Sequence, residues 1–266
     1  MTKISIIFEL FFKCIFKPKM SSDLLEERRQ TRENELHKNH RYDYDYANIE
    51  EFFKKMFPNY EYKKHEAEFI VLETHIEKFF QKMESYKFPS KSKPYPINYS
   101  INSDSRKFLY HFCRASKPEK IVETGVAYGI SSTYILKALE DNKFGILYSI
   151  DSVFRPWQKV EMIGSIIPNE LRNRWKLILG KSTEKLTSLL NELNGIDIFI
   201  HDSSHTYENM MFEFDIAFKK IHKNGIIISD DILSNDAFYN FTKKKNLENH
   251  IIKVQENSGL GIIRKI

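Results

Sequence analysis

Four side chains able to do acid–base or metal chemistry stand at the ends of two short apolar runs. The first run continues as Ile198-Phe199-Ile200-His201-Asp202-Ser203-Ser204-His205-Thr206-Tyr207, and the second reads Ile227-Ile228-Ser229-Asp230-Asp231. If the runs are adjacent parallel strands, Asp202, His205, Asp230 and Asp231 meet in the crevice at the strands' carboxyl ends. Three carboxylates gathered there repel one another unless a cation lies between them. Oxygen donors without cysteine suit a hard ion, Mg²⁺ first, then Ca²⁺ or Mn²⁺, which makes Asp202, Asp230 and Asp231 the candidate metal ligands. His205, titrating near neutrality, is the candidate catalytic base. Each residue alone has a plainer use: Asp202 as a helix cap, Asp231 in solvent, His205 bonded to a backbone carbonyl.

A second cluster lies upstream, in Ile121-Val122-Glu123-Thr124-Gly125-Val126-Ala127-Tyr128-Gly129-Ile130-Ser131-Ser132. Glycines at 125 and 129 allow a sharp strand-to-helix turn and close approach to a ligand, and the helix that follows offers unpaired N–H groups. The spacing is neither G-x-G-x-x-G nor a phosphate loop, so a dinucleotide and a nucleoside triphosphate are both disfavoured. Asp151 closes the next apolar run, where a carboxylate can accept the hydroxyls of a ribose. Glu123 with Asp151 suits a cofactor with a positive end and a ribose but no pyrophosphate.

These elements imply their scaffold. Apolar runs at 120–124, 145–151, 176–180, 196–202 and 225–230 are separated by helix-length segments, which predicts a parallel sheet with helices on both faces. Residues 250–256 and 260–266, joined across Asn257-Ser258-Gly259, predict a closing antiparallel hairpin. The expected fold is α/β: a doubly wound, mostly parallel, Rossmann-like sheet of seven strands ending in that hairpin.

In this arrangement the chain resembles the class I S-adenosylmethionine-dependent methyltransferases, over roughly residues 96–266. The D-x-x-H-x-Y segment from Asp202 to Tyr207, followed by Asp230-Asp231, is similar to the metal-dependent O-methyltransferases, and within them to the sugar-modifying macrocin type. The resemblance implies that Glu123, Gly125 and Gly129 line the methionine part of the cofactor, that Asp151 holds the ribose, and that Gly180-Lys181-Ser182 flanks the adenine. Asp202 then serves both cofactor and metal, with Asp230 and Asp231 as further ligands and His205 as base. The implied reaction is methyl transfer from S-adenosyl-L-methionine to a hydroxyl of a small molecule, with a sugar among the candidates, aided by a divalent cation. Where catechol-modifying members offer a lysine, Ser204 and His205 stand here, which argues against a phenol. Two other readings are a cofactor-binding module without catalysis and a metal-dependent hydroxylase-like relative. The second would want two histidines for each carboxylate, and here the ratio is reversed.

Composition limits the remainder. Forty-one Lys and Arg against 36 Asp and Glu give a formal charge of +5, and residues 1–95 hold 18 basic and 16 acidic side chains, so no basic half marks a nucleic-acid partner. Cys14 and Cys113 form neither a framework nor a metal pair, and a reducing cytoplasm is the default setting. Three prolines between Pro89 and Pro96 break the helical pattern, which divides the chain into a helical N-terminal extension, 1–95, and a methyltransferase-like domain, 96–266. In the extension, Ile4, Ile7, Phe8, Phe11, Phe12, Ile15 and Phe16 form one wide apolar helical stripe. It must pack on the protein, on a second copy of the chain, or peripherally on a membrane through residues 4–16. Trp157 and Trp175 read as core, His201 points away from Asp202 by strand alternation, Lys243-Lys244-Lys245 is a solvated helix end, and Asn235, Asp236, Phe238 and Tyr239 form a helix cap and first turn.

Overall fold

The computed structural model describes residues 8, 11, 12, 15, 16, 18–38, 42, 44–85, 101–153, 158–255 and 258–266. Trp157 and the proline-rich break lie outside them. Five parallel strands form the centre: β2 (Lys120–Thr124), β3 (Ile146–Asp151), β4 (Trp175–Leu179), β5 (Ile196–His201) and β6 (Ile221–Ser229). Their order in space is β6-β5-β2-β3-β4. Chain order proceeds from β2 through β3 to β4 on one side of the centre and from β5 to β6 on the other, so the topological switch falls between β2 and β5. A crevice therefore opens above their carboxyl ends. β2 and β5 are buried along nearly their whole length, as parallel strands covered on both faces must be.

The hairpin of β7 (Glu248–Gln255) and β8 (Ser258–Arg264) completes the sheet, with β8 antiparallel to β6. The sheet thus holds the seven expected strands and one more. β1, only Tyr46–Ala47, comes from the N-terminal region and pairs in parallel with β7. Two residues at the end of a Tyr-Asp alternation carry no strand-length signal, and the edge of β7 supplies the order that their sequence lacks.

Helices α1 (Pro18–Asn34), α2 (Ile49–Met56), α3 (Glu66–Glu84), α4 (Ser103–Ser116) and α5 (Ile130–Asn142) precede α6 (Ser182–Leu193), α7 (Tyr207–Lys220) and α8 (Ala237–Lys245). α2 begins where the Asn48 side chain accepts the Glu50 amide at 2.8 Å. Its Phe52 and Phe53 are buried in one apolar cluster with Phe69, Leu72 and Ile76 of α3, Phe108 and Phe112 of α4, and Ile198 and Ile200 of the sheet. The N-terminal region therefore supplies part of the core on that face. Truncating a buried Phe of this kind costs about 3–5 kcal/mol. On the other face α6, α7 and α8 pack Leu186, Leu190, Phe214 and Phe241 against Val122 and Phe199. Trp175 packs at the core edge and donates to Ser149 Oγ at 2.9 Å. Lys243, Lys244 and Lys245 are exposed at the end of α8.

Candidate active site

Backbone hydrogen bonds carry the sheet one residue past its strand ends. Gly180 N donates to Asp151 O at 2.8 Å, Gly125 N to Ile150 O at 3.0 Å, Asp202 N to Thr124 O at 2.9 Å and Asp230 N to His201 O at 3.0 Å. The exits of β4, β2, β5 and β6 are thereby held in a row, and the side chains that follow them face one crevice. Gly125 has φ +86°, and a Cβ there would lie 1.8 Å from the Asp202 carbonyl oxygen. Its lack of a side chain first of all lets the loop after β2 lie against the end of β5. Gly129, at φ +92°, begins α5, and its Cβ would come 2.8 Å from Gly164 Cα. Between them Ala127 also has a positive φ, 48°, a strained conformation for a residue with a Cβ.

The two acids assigned to the cofactor support this loop. Glu123 is fully buried and accepts from Ser131 at 2.7 Å, Ser132 at 2.6 Å and Ser149 at 2.9 Å. Both of its oxygens are engaged, so it braces the start of α5 from beneath. Burial raises its proton affinity, and the three hydroxyls partly offset that. Asp151 accepts the Val126 and Ala127 amides on Oδ2 at 2.9 and 2.8 Å, and the Ser152 amide on Oδ1. It clamps the loop, and its remaining lone pairs are what it can offer a ribose. Ser182 opens α6 and donates to Asn209 at 3.3 Å.

Asp202, Asp230, Asp231 and His205 do come together. His205 Nδ1 lies 3.1 Å from Asp231 Oδ2, and its Nε2 lies 3.7 Å from Asp202 Oδ1. That Nε2 is buried and makes no hydrogen bond. Burial pulls the imidazole's proton affinity down, but the hydrogen bond and charge of Asp231, with Asp230 and Glu213 behind it, leave His205 above its ordinary value. The same hydrogen bond holds Asp231 below the usual Asp range. Burial, then the charges of Asp230, Glu123, Asp231 and Asp151, raises Asp202 well above that range. Asp230 is raised by burial and by Asp231. Asp231 adopts φ +50°, another strained position at the site. Asn235, fully buried, donates to the His205 carbonyl at 3.0 Å and accepts the Ala237 amide at 2.8 Å, so it caps α8 and fixes the histidine's backbone.

One central residue escaped the sequence reading. Glu213 of α7 is fully buried and accepts from Thr124 at 2.6 Å, Ser203 at 2.7 Å and Asn209 at 3.1 Å, and it pairs with His201 Nδ1 at 2.6 Å. Burial pushes its pKa up, but His201 and the hydroxyls outweigh this and bring it to about 2. His201 thus faces α7, with its ring 5.3 Å from that of His205. The available signal was an acid on the same helical face as Met210, Phe214 and Ala217.

Among the described residues, no group of three or more His, Cys, Asp or Glu side chains is placed to hold a metal ion. Asp202, Asp230 and Asp231 share a crevice without forming a ligand set, because Asp231 turns to His205. The residues do fit S-adenosylmethionine. Its positive charge is divided between an ammonium and a sulfonium, which matches carboxylates spread along the crevice better than it matches a point of coordination. The repulsion that raises Asp202 is what such a spread cation would relieve.

The sequence of residues 122–232 matches the profile of a methyltransferase domain family. Residues 122–232 are a methyltransferase domain. The match runs from within β2 to the start of the loop after β6 and contains Glu123, Gly125, Gly129, Asp151, Ser182, Asp202, His205, Glu213, Asp230 and Asp231, while Asn235 lies just beyond it. Solved structures share the fold. An O-methyltransferase from Bacillus cereus, in complex with S-adenosylhomocysteine, is 13% identical with a TM-score of 0.57, over 82% of this chain and 97% of that one. A methyltransferase from Geobacter sulfurreducens is 15% identical with a TM-score of 0.53, over 82% and 95%. The O-methyltransferase TomG from Streptomyces achromogenes, involved in tomaymycin synthesis and solved with S-adenosylmethionine, is 13% identical with a TM-score of 0.52, over 72% and 96%. Comparison with curated proteins gives no match. The class I methyltransferase fold expected from the loop and strand pattern is therefore present, and the methyltransferase-domain match lies on its central strands.

Proposed function

We propose that this methyltransferase moves a methyl group from S-adenosylmethionine to a hydroxyl of a small molecule, with His205 taking the hydroxyl proton. The observation that supports this most is the His205–Asp231 pair at 3.1 Å, set beside Asp202 and Asp230 at the switch-point crevice. An Nδ1–H donated to Asp231 fixes the tautomer and leaves a lone pair on Nε2, the atom that faces Asp202 without a hydrogen bond. When bound, S-adenosylmethionine supplies a methyl group already activated by its sulfonium. The chain's task is to orient an oxygen toward that methyl and to remove its proton. Asp151 and the 125–129 loop hold the cofactor in this reading, and Glu123 keeps the loop in shape. Ser182 borders the adenine side, and Asp202 faces the cofactor's positive charge.

A sugar hydroxyl fits better than a phenol, because Ser204 and His205 provide a base and no fixed cation for a phenolate. A divalent cation, Mg²⁺ first, is a second reading: Asp202, Asp230 and Asp231 follow the neighbouring strands β5 and β6, and Asp231 would turn from His205 to complete a ligand set. Cys113, buried and unpaired, accords with a reducing cytoplasm. The test is transfer of labelled methyl to a panel of hydroxylated acceptors, with and without EDTA. His205→Ala should keep its affinity for S-adenosylhomocysteine and lose turnover by 10²-fold or more. Unchanged turnover in that variant would remove His205 from the reaction, and unchanged turnover in EDTA would remove the cation.

A further inference from the structure

Phe8, Phe11, Phe12, Ile15 and Phe16 are helical and 56–78% exposed. Fourteen large apolar side chains are exposed among the described residues, and five of them fall within these nine positions, where no other stretch of that length holds more than two. Positions 8, 11, 12, 15 and 16 follow helical spacing, so the four rings and Ile15 share one face. Together they present on the order of 500 Å² of apolar surface, as large as the biggest patch an ordinary monomer shows. None of the described residues covers this face, which is open to a partner.

Charge selects the partner. Residues 1–20 carry Lys3, Lys13, Lys17 and Lys19 against Glu9 alone. A two-fold contact with a second copy would set this patch against itself and bring two lysine-rich segments together. A surface of anionic lipid headgroups takes the rings into its acyl boundary and the lysines into its headgroup layer. The apolar stretch 4–16 is shorter than the roughly 20 residues a span needs and carries Glu9 and Lys13, so the segment would lie on the surface. We propose that residues 8–16 form a membrane-docking face for anionic lipid, which holds the methyltransferase domain at a bilayer surface. The proposal is independent of the acceptor and of the assigned base.

The test is co-sedimentation of the full chain with vesicles of phosphatidylcholine alone and of phosphatidylcholine with 30% phosphatidylglycerol. Binding should require the anionic lipid and weaken as NaCl is raised. Phe12→Ser and Phe16→Ser should each lower the partition coefficient by about tenfold, since each removes one ring from the acyl boundary. Lys13→Glu with Lys17→Glu should abolish the preference for anionic vesicles, and circular dichroism checks that all variants fold. Failure of the wild-type chain to sediment with either vesicle would overturn the proposal. So would binding that the Phe variants leave unchanged, or a dimer in sedimentation velocity that dissociates in the Phe variants while vesicles bind nothing.

Discussion

Replacing Asp231 by Asn separates the two forces that set the charge of His205. Asn tolerates the positive φ at this position, and it keeps the shape of the side chain while removing its charge. At 3.1 Å, two unit charges attract by about 1.3 kcal/mol at the dielectric of water and about 5 kcal/mol at an effective value of 20. The Asp231 side chain is 53% exposed, so the lower figure applies, and it corresponds to about one pH unit. With the acid present, His205 should titrate above its ordinary value; with it gone, burial is opposed only by Asp230 and Glu213, and the midpoint should fall. The assay is an NMR titration of the His205 imidazole in wild type and Asp231→Asn, which needs no acceptor. An unchanged or higher midpoint in the variant would refute the pairing and, with it, the assigned tautomer. Because the folded-state value is raised, the pair's stabilisation is full below the unfolded value and fades as pH rises through the folded one. The stability gap between wild type and variant should therefore be larger at pH 6 than at pH 9.

Other consequences are as direct. Glu213, held at about 2 against an ordinary 4.5, contributes roughly 3 kcal/mol that is present above pH 4.5 and lost as pH falls through 2; Glu213→Gln should cost about that much in urea unfolding at pH 7 and progressively less toward pH 2. Glu123→Ala leaves three buried hydroxyls without their acceptor and should cost about 2–5 kcal/mol by the same measurement, with loss of cofactor affinity as the loop loosens. Gly125→Ala drives a methyl into the Asp202 carbonyl and should abolish soluble expression or lower the melting temperature by ~10 °C or more, whereas a normal melting curve would show that the loop is not where it is placed.

The central strands were legible because each is a short apolar run ending in Gly or an acid, and a parallel sheet needs little else. Their ends were legible for the same reason: once β5 and β6 are neighbours, Asp202, His205 and Asp230-Asp231 must share a crevice. What each side chain does there was less so. Glu123 and Asp151 sit where sequence logic put them, yet their oxygens hold three serines and three backbone amides, because a loop this tight must pair its own polar groups before it meets a ligand. Glu213 was hidden within a helix, where only its position on the apolar face distinguished it from a solvated acid. The contacts that α1 makes with residues following β4 and β5, Asp23 to Lys181 at 2.6 Å, Gln30 to Thr206 at 2.8 Å and Asn34 to the Tyr207 amide at 2.9 Å, join residues more than 150 positions apart. No local pattern encodes such contacts. The same holds for β1, which becomes a strand only because β7 offers it an edge.

The most direct measurement is calorimetric titration of the full chain with S-adenosylhomocysteine, in wild type, Asp151→Ala and His205→Ala. Binding at one site per chain is expected, weakened at least tenfold by Asp151→Ala and nearly unchanged by His205→Ala. No heat with the wild-type chain, or a loss of affinity confined to His205→Ala, would contradict the assignment of the crevice.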